Sequence, residues 1–598
     1  MHKILKETFG FDAFRSGQEQ PIRALLAGKN VFCVMPTGAG KSMIFQVPAL
    51  LGQGLTIVIS PLIALMQDQV SALQLLGVGA DTLNSSRSMD EISSTWQRVR
   101  NGQTRLLYLA PERLMNSGTL AALQSLDIKL IAIDEAHCIS QWGPSFRPEY
   151  EMLMALKSHF PGVPIAALTA SADQATRKDI VAKLFGDDVD IFISGFDRPN
   201  ITLNVEPKAG WKRQLKAFVQ NRKGQSGIVY CLSRKKTEEA AAFLTDEGFT
   251  ALSYHAGMNK DAREKNQQRF VAEPGIIMAA TVAFGMGIDK PDVRFVFHTD
   301  MPASMEAYYQ EVGRAGRDGD PADAYMLYGL DDLRMRRQFI EQDSSSDTQK
   351  RREHKRLDAL IAYCEAPTCR RQTLLAYFSD NCAACNNCDV CLNPVELIKG
   401  TREGQMALSA MVRTGQRFGP AHIVDILVGA NTARLRQLGH DKLPTWGVGI
   451  QHDKNQWRSI LRQLVAAGFI HLDIAEFGGL SVTSDGRLLL KGETDFSFRP
   501  LPRKSRSDPL VQKASKSDIT LDQAEIAVFE RLKKLRSGIA AERNVPAYFI
   551  FSDKSLRDMA QKQPATVDEF SQIYGVGQAK LDQFATLFIS EIKISKPD

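Results

Sequence analysis

Three groups of residues in this 598-residue chain have types and spacings that suit chemistry. The first is the run Met35-Pro-Thr-Gly-Ala-Gly-Lys-Ser42, which includes Thr37. Gly38 and Gly40 let backbone N–H groups approach phosphate oxygens closely, and a helix starting here adds a favourable dipole. Lys41 would reach the outer phosphates of a nucleoside triphosphate, and the Ser42 hydroxyl would hold Mg²⁺. The plainer alternative is a glycine-rich strand-to-helix turn without a ligand. The second group is Ile133-Asp134-Glu135-Ala136-His137, at the end of an apolar run. There Asp134 would coordinate Mg²⁺, directly or through water, and Glu135 would polarise an attacking water. A solvated acidic pair is the alternative, and a phosphate loop upstream argues against it. The third group is Cys382, Cys385, Cys388 and Cys391. The Cys-x-x-Cys-x-x-Cys run has metal-ligand spacing, and four thiolates make a closed, structural Zn²⁺ site with no position left for chemistry. Spacing alone leaves the fourth ligand open: Cys382 repeats the interval, and Cys364 and Cys369 are also near.

A further cationic pair lies in Gln310-Glu-Val-Gly-Arg314-Ala-Gly-Arg317, after a helix-like segment at 304–309. Two arginines three apart on one helical face are commonly ion-pair partners. Where a phosphate site lies between two lobes, however, a cation from one lobe can complete the other's site. It then stabilises transition-state charge only when the cleft closes.

These groups need elements to hold them. Short apolar runs at 31–35, 56–60, 106–109, 130–133 and 165–168 alternate with segments long enough for crossover helices. That is the pattern of buried parallel strands in a doubly wound α/β domain. It restarts after Phe196-Asp197-Arg198-Pro199-Asn200, with runs at 227–231, 251–254, 276–280 and 293–297. Two α/β domains in tandem are therefore expected, at 1–195 and 196–329. Beyond them the pattern turns helical and then reaches the cysteines (330–396). Next are residues 397–500, then a Pro-, Arg- and Ser-bearing linker at 501–519 and a compact helical segment at 520–598.

Composition excludes several classes. The chain is 44% hydrophobic and 24% charged, as in ordinary globular proteins. No run approaches the roughly eighteen apolar residues of a membrane span, and the first residues do not form a secretory signal. A cytoplasmic protein is expected, in which the nine cysteines stay reduced. The net charge of +6 permits a polyanionic partner without requiring one.

The motifs, in this order, resemble superfamily 2 helicases, and the sequence between them resembles the RecQ family. Phe11, Arg15 and Gln18 in FGFDAFRSGQ are similar to that family's adenine-recognition segment. The resemblance implies that Phe11 stacks on the base and Gln18 bonds its edge. PLIALMQDQV at 61–70 and YLAPERL at 108–114 match DNA-contact motifs of the family. The stretch with Trp142, Phe146 and Arg147 resembles its aromatic-rich loop, which links DNA contact to hydrolysis. In TVAFGMGIDK, Asp289 is implied to link the two faces of the cleft. The resemblance also implies Cys369, in CRRQ, as the fourth zinc ligand.

The fold implied by this resemblance has two RecA-like parallel-sheet domains, a helical zinc module, a winged-helix domain and a small HRDC-like helical domain. Arg436, His440 and Lys442 of the winged helix are candidate duplex contacts. Tyr548 and Lys580, with the Gly575-Val-Gly577 turn, are candidate single-strand contacts. The implied activity is ATP- and Mg²⁺-dependent unwinding of single-stranded, forked or partly duplex DNA in the 3′-to-5′ direction, in recombination and repair. It would be carried out by a monomer with a single-strand-binding protein as partner. The competing readings are an RNA helicase, which Asp-Glu-Ala-His alone would allow, and a DNA-binding scaffold with a dead motor.

Overall fold

The structure is a computed structural model. It describes residues 1–598 except 85–86, 141–146, 171, 173, 187, 285–289, 344–345, 395, 473–479, 501–520, 544 and 595–598. The expectations for Trp142, Phe146, Asp289 and the linker at 501–519 lie outside the described residues.

The first lobe is a seven-stranded parallel sheet. Its strands are β1 (Val31–Val34), β2 (Leu55–Ile59), β3 (Ala80–Leu83), β4 (Leu106–Leu109), β5 (Ile128–Ile133), β6 (Ile165–Thr169) and β7 (Asp190–Ile193). They run in the order β3-β4-β2-β5-β6-β1-β7. β1 to β4 and β6 are buried along their whole length. Helices cover both faces of such a sheet, which is why β1, β2, β4 and β6 read as apolar runs; β3 is buried with its Asp81 accepting from Arg98 and Thr104. β7 is different: it sits at the edge and alternates between half-buried and exposed residues. Its apolar run, Ile191-Phe192-Ile193, is short, and Ile191 and Ile193 are exposed.

The second lobe repeats the plan with β8 (Ile201–Pro207), β9 (Ser226–Tyr230), β10 (Ala251–Tyr254), β11 (Ile277–Ala280), β12 (Val293–His298) and β13 (Ala322–Tyr328). The order is β10-β11-β9-β12-β13-β8. The longest register is β13 on β8, seven residue pairs from Ala322–Ile201 to Tyr328–Pro207. Both strands carry interspersed polar residues, so the apolar-run criterion passes over them.

Helices Asp347–Glu365 and Arg370–Tyr377 lead into the cysteine-bearing loop. Next comes a helical domain with an antiparallel pair, Ile470–Leu472 on Leu480–Val482. The helix Ser484–Lys491 follows this pair. Five helices from Gln523–Glu542 to Gln578–Lys593 close the chain around their own core of Leu532, Phe551, Phe570 and Phe588. The first of them starts on a capping box, in which Asp522 and Glu525 bond each other's backbone N–H. Among the described residues, no helix is long and apolar enough to cross a membrane.

Candidate active site

In open α/β sheets the loops at the carboxyl ends of strands form the ligand crevice. Both chemical motifs of the first lobe lie there. The glycine-rich loop leaves β1 and enters the helix Met43–Leu51, with Ser42 at its N-cap. Gly38 and Gly40 have φ of +83° and +76°, a region that side chains rarely tolerate. The loop is held from behind. Gln18, almost fully buried, donates to Ala39 O and Gly40 O at 3.0 Å each. Arg15 donates to Gly38 O at 2.5 Å. Gln18 also accepts from the Arg15 backbone N–H at 2.8 Å. Lys41 Nζ lies inside the loop, 3.3 Å from Met35 O and 3.5 Å from Pro36 O.

Asp134 and Glu135 come directly after β5. Glu135 has a left-handed backbone (φ 50°, ψ 44°), a costly conformation for a residue with a Cβ and one that tends to mark functional sites. Its carboxylate lies 3.3 Å from His137 Nδ1, which also lies 3.0 Å from the Thr169 hydroxyl at the end of β6. Burial and the adjacent Glu135 charge raise the pKa of Asp134. Burial works the same way on Glu135. There it is outweighed by the His137 hydrogen bond and by the charges of His137, Lys41 and Arg314, so Glu135 is held low. A quarter of the Glu135 side chain still faces the cleft, where water moderates the burial effect. A partly buried carboxylate with raised proton affinity, together with a hydroxyl such as that of Ser42, is an oxygen donor set that suits a hard cation.

The second lobe closes over this loop. Its helix Met305–Val312, capped by Ser304, carries Gln310 and ends before the arginines. Arg314 and Arg317 therefore do not share a helical face as the spacing suggested. They lie in the turn after the helix, where Gly313 stops the repeat. A Cβ on Gly313 would sit 3.2 Å from Thr37 Cβ, and one on Gly38 would sit 3.5 Å from Arg317 Cγ. Arg314 lies close enough to Glu135 to lower its pKa. The two lobes thus meet at the phosphate loop. Of the three candidates in the aromatic-rich segment, Arg147 is described. It donates to Pro61 O at 3.1 Å, joining that segment to the loop after β2.

Residues 15–180 match the DEAD/DEAH box helicase family and 211–319 the helicase conserved C-terminal domain. Residues 330–392 match the RecQ zinc-binding family, 394–507 the RQC domain and 525–592 the HRDC domain. The chain is 41% identical over 595 residues to the ATP-dependent DNA helicase RecQ of Haemophilus influenzae, covering 99% of this chain and 96% of that one. It is 38% identical over 593 residues to the RecQ of Bacillus subtilis, covering 99% and 98%. The chain belongs to the RecQ helicase family.

In this RecQ-family chain the Sγ atoms of Cys369, Cys385, Cys388 and Cys391 all lie within 4.8 Å of one another. That suits a tetrahedral ion with Zn–S bonds of about 2.3 Å. It is the one such group among the described residues, and Cys382 is outside it. Zinc is the structural metal of the chain. Cys369 enters the group because it is the N-cap residue of Arg370–Tyr377, and Arg370 is tied to Asp389, beside Cys388, at 2.9 Å.

The accessory domains place their candidate residues differently. Arg436 and Lys442 are exposed on the RQC domain. His440 instead faces inward: its Nδ1 lies 2.8 Å from His422 Nε2, its ring is edge-on to Phe418, and burial lowers its pKa. The HRDC domain docks on both lobes. Gly575 N donates to Gly10 O at 3.0 Å, and the Tyr574 ring lies 5.4 Å from Phe11. Arg557 pairs with Asp320 of the second lobe at 2.6 Å. Tyr548 lines a small cavity shared with Pro291, Asp292 and Asp318. Lys580 lies over the Phe551 ring at 5.4 Å. The turn expected to meet single-stranded DNA is thus in contact with the first-lobe segment that carries Phe11. That contact needs its glycines, since a Cβ on Gly10 would lie 2.4 Å from Val576 N.

Sequence reasoning passed over Arg198 and Tyr574. Arg198 bonds both lobes, and its one sequence signal is an arginine placed where the α/β pattern restarts.

Proposed function

We propose that this chain couples ATP hydrolysis to 3′-to-5′ translocation along single-stranded DNA and to duplex unwinding, on forked or partly duplex DNA, in recombination and repair. The observation that carries the reading is the meeting of Lys41, Asp134 and Glu135 with the Arg314–Arg317 turn of the opposite lobe. Lys41 donates to loop carbonyls here, and nucleotide phosphates would replace them. Ser42 and Asp134 would hold Mg²⁺, which supplies charge neutralisation between the outer phosphates. Glu135, kept ionised beside His137, accepts the proton of the attacking water. Arg314 and Arg317 meet the charge that develops on the transferred phosphoryl group. Phe11, Arg15 and Gln18 shape the base side, Thr37, Gly38 and Gly40 the phosphate side, and Gln310 and Asp289 the facing wall. Because the arginines belong to the other lobe, hydrolysis proceeds only when the lobes close, and closure is the step that moves DNA.

Trp142, Phe146 and Arg147 would stack on and track unpaired bases, while Arg436 and Lys442, the exposed candidates of the RQC domain, would contact DNA outside the cleft. The same reading carries a monomer in the nucleoid, with a single-strand-binding protein as partner.

The test is ATP hydrolysis by the purified chain with no nucleic acid, with single-stranded DNA and with matched RNA, then strand displacement from 3′ and 5′ overhangs. Stimulation by DNA alone and displacement from the 3′ overhang are expected. Equal stimulation by RNA would move the substrate to RNA, and no hydrolysis would leave a scaffold.

A further inference from the structure

Arg198 stands on the segment that joins the lobes, between the end of β7 at Ile193 and the start of β8 at Ile201. Its guanidinium is fixed by four carbonyl oxygens. Nη1 donates to Thr37 O at 2.7 Å and to Gly313 O at 3.2 Å. Nη2 donates to Ala315 O and Gly316 O, both at 2.9 Å. Thr37 belongs to the phosphate loop of the first lobe. The other three belong to the turn that carries Arg314 and Arg317. One planar fork therefore reads the backbone on both sides of the cleft. Burial, and after it the charges of Arg317 and Arg15, lower the Arg198 pKa to about 10, which leaves it a cation at neutral pH.

The segment is itself seated on the zinc module. Arg371, two residues after a cysteine of the cage, donates to Asp197 Oδ1 at 2.6 Å, Arg198 O at 2.5 Å and Ile201 O at 2.6 Å. Asp380 accepts from Phe196 N at 2.8 Å, and the Phe196 ring stacks on Phe378 at 4.7 Å. Asn387, between Cys385 and Cys388, donates to Pro199 O at 3.0 Å and accepts from the Thr202 hydroxyl at 2.9 Å. Contacts fall on both sides of Arg198, so its backbone has little freedom.

We propose that Arg198 is a positioning residue for hydrolysis, setting the spacing between the phosphate loop and the arginine-bearing turn, and that the zinc module is the seat that holds it there. The proposal rests on the hydrolysis reading above. Its consequence is geometric. An error of about 1 Å in placing a reacting group can cost about 100-fold in rate. Arg198 touches the glycine loop only at Thr37 O, whereas Gln18 and Arg15, which would serve affinity, hold Gly38, Ala39 and Gly40 by contacts of their own. A lysine at 198 could bond one side of the cleft but not span both, because it is a point donor rather than a fork.

The experiment uses the full chain as Arg198→Met, Arg198→Lys and Arg371→Met. It reads DNA-stimulated kcat, affinity for a fluorescent ATP analogue, zinc content and Tm. Arg198→Met is expected to lower kcat by about 10-fold or more. Nucleotide affinity should change by less than about 3-fold, and zinc content should stay at the wild-type level. Arg198→Lys should fall between it and wild type. Arg371→Met should show the same split at smaller size, which keeps the test open if Arg198→Met folds poorly. Wild-type kcat in Arg198→Met overturns the proposal, as does loss of kcat and affinity together in step with Tm. A wild-type chain that hydrolyses no ATP overturns the hydrolysis reading and the proposal with it.

Discussion

The cleft between the lobes and the interface of the HRDC domain are both contacts between distant parts of the chain, yet they are built oppositely. The cleft brings like and unlike charges together at strand ends: Lys41, Asp134, Glu135 and, from the other lobe, Arg314. Its carboxylates stay partly open to solvent and are displaced from their ordinary pKa values. The HRDC interface instead matches backbone to backbone. Glycines at 10, 575 and 577 let two turns approach so closely that a Cβ at Gly577 would lie 2.4 Å from Thr8 O. The first arrangement gathers charge that a ligand can meet. The second, where it meets the first lobe, sets backbone against backbone and gathers no such charge.

The largest break in this comparison comes from the cleft. Lys41→Ala is expected to lower DNA-stimulated hydrolysis by about 100- to 1,000-fold while DNA affinity, measured by anisotropy, is unchanged. Next is Trp142→Ala, which should lose most of the DNA stimulation of hydrolysis. Its DNA affinity should fall by no more than one stacked base is worth, ~1–3 kcal/mol. Undiminished stimulation would remove that loop from the coupling. Cys388→Ser should strip most of the zinc, read by metal analysis, and lower Tm with it. Unchanged stoichiometry would reassign the cage.

On the HRDC side, Gly10→Val adds a side chain at φ +72° against Val576 N. The domain is expected to undock, with faster amide exchange in Gln578–Lys593. The smallest effect is at Lys580, whose pKa burial lowers to about 8. The unfolded chain then holds a proton that the folded chain sheds. Stability should therefore rise with pH from about 8 up to the ordinary lysine value near ~10.4. Lys580→Met should flatten that rise in Tm.

Much of the cleft was legible from residues 35–42 and 133–137, because strand-loop-helix geometry imposes its own local spacing on the residues that serve it. β1, β2, β4, β5 and β6 were legible for a related reason: a strand covered on both faces is mostly apolar. β3, β8 and β13 were not, since polar residues interrupt their apolar runs, and β7 was not, since its run is only Ile191-Phe192-Ile193; pairing, not composition, makes them strands. The arginine pair was recognisable by type, but its place in a turn depended on where the helix stopped at Val312.

By itself, then, the sequence determined the tandem α/β plan, the phosphate loop, the acidic pair and the metal-binding character of the cysteine run, all of which depend on neighbours a few residues apart. Tertiary structure alone decided that Arg198 bonds both lobes and that Tyr574 faces Phe11, and it bore out Cys369 as the fourth thiol, which the family resemblance implied and local spacing left open. Each of these joins segments at least sixteen residues apart, counting from Cys369 to Cys385. Such contacts are selected by the packing of whole domains, on which local spacing carries no information.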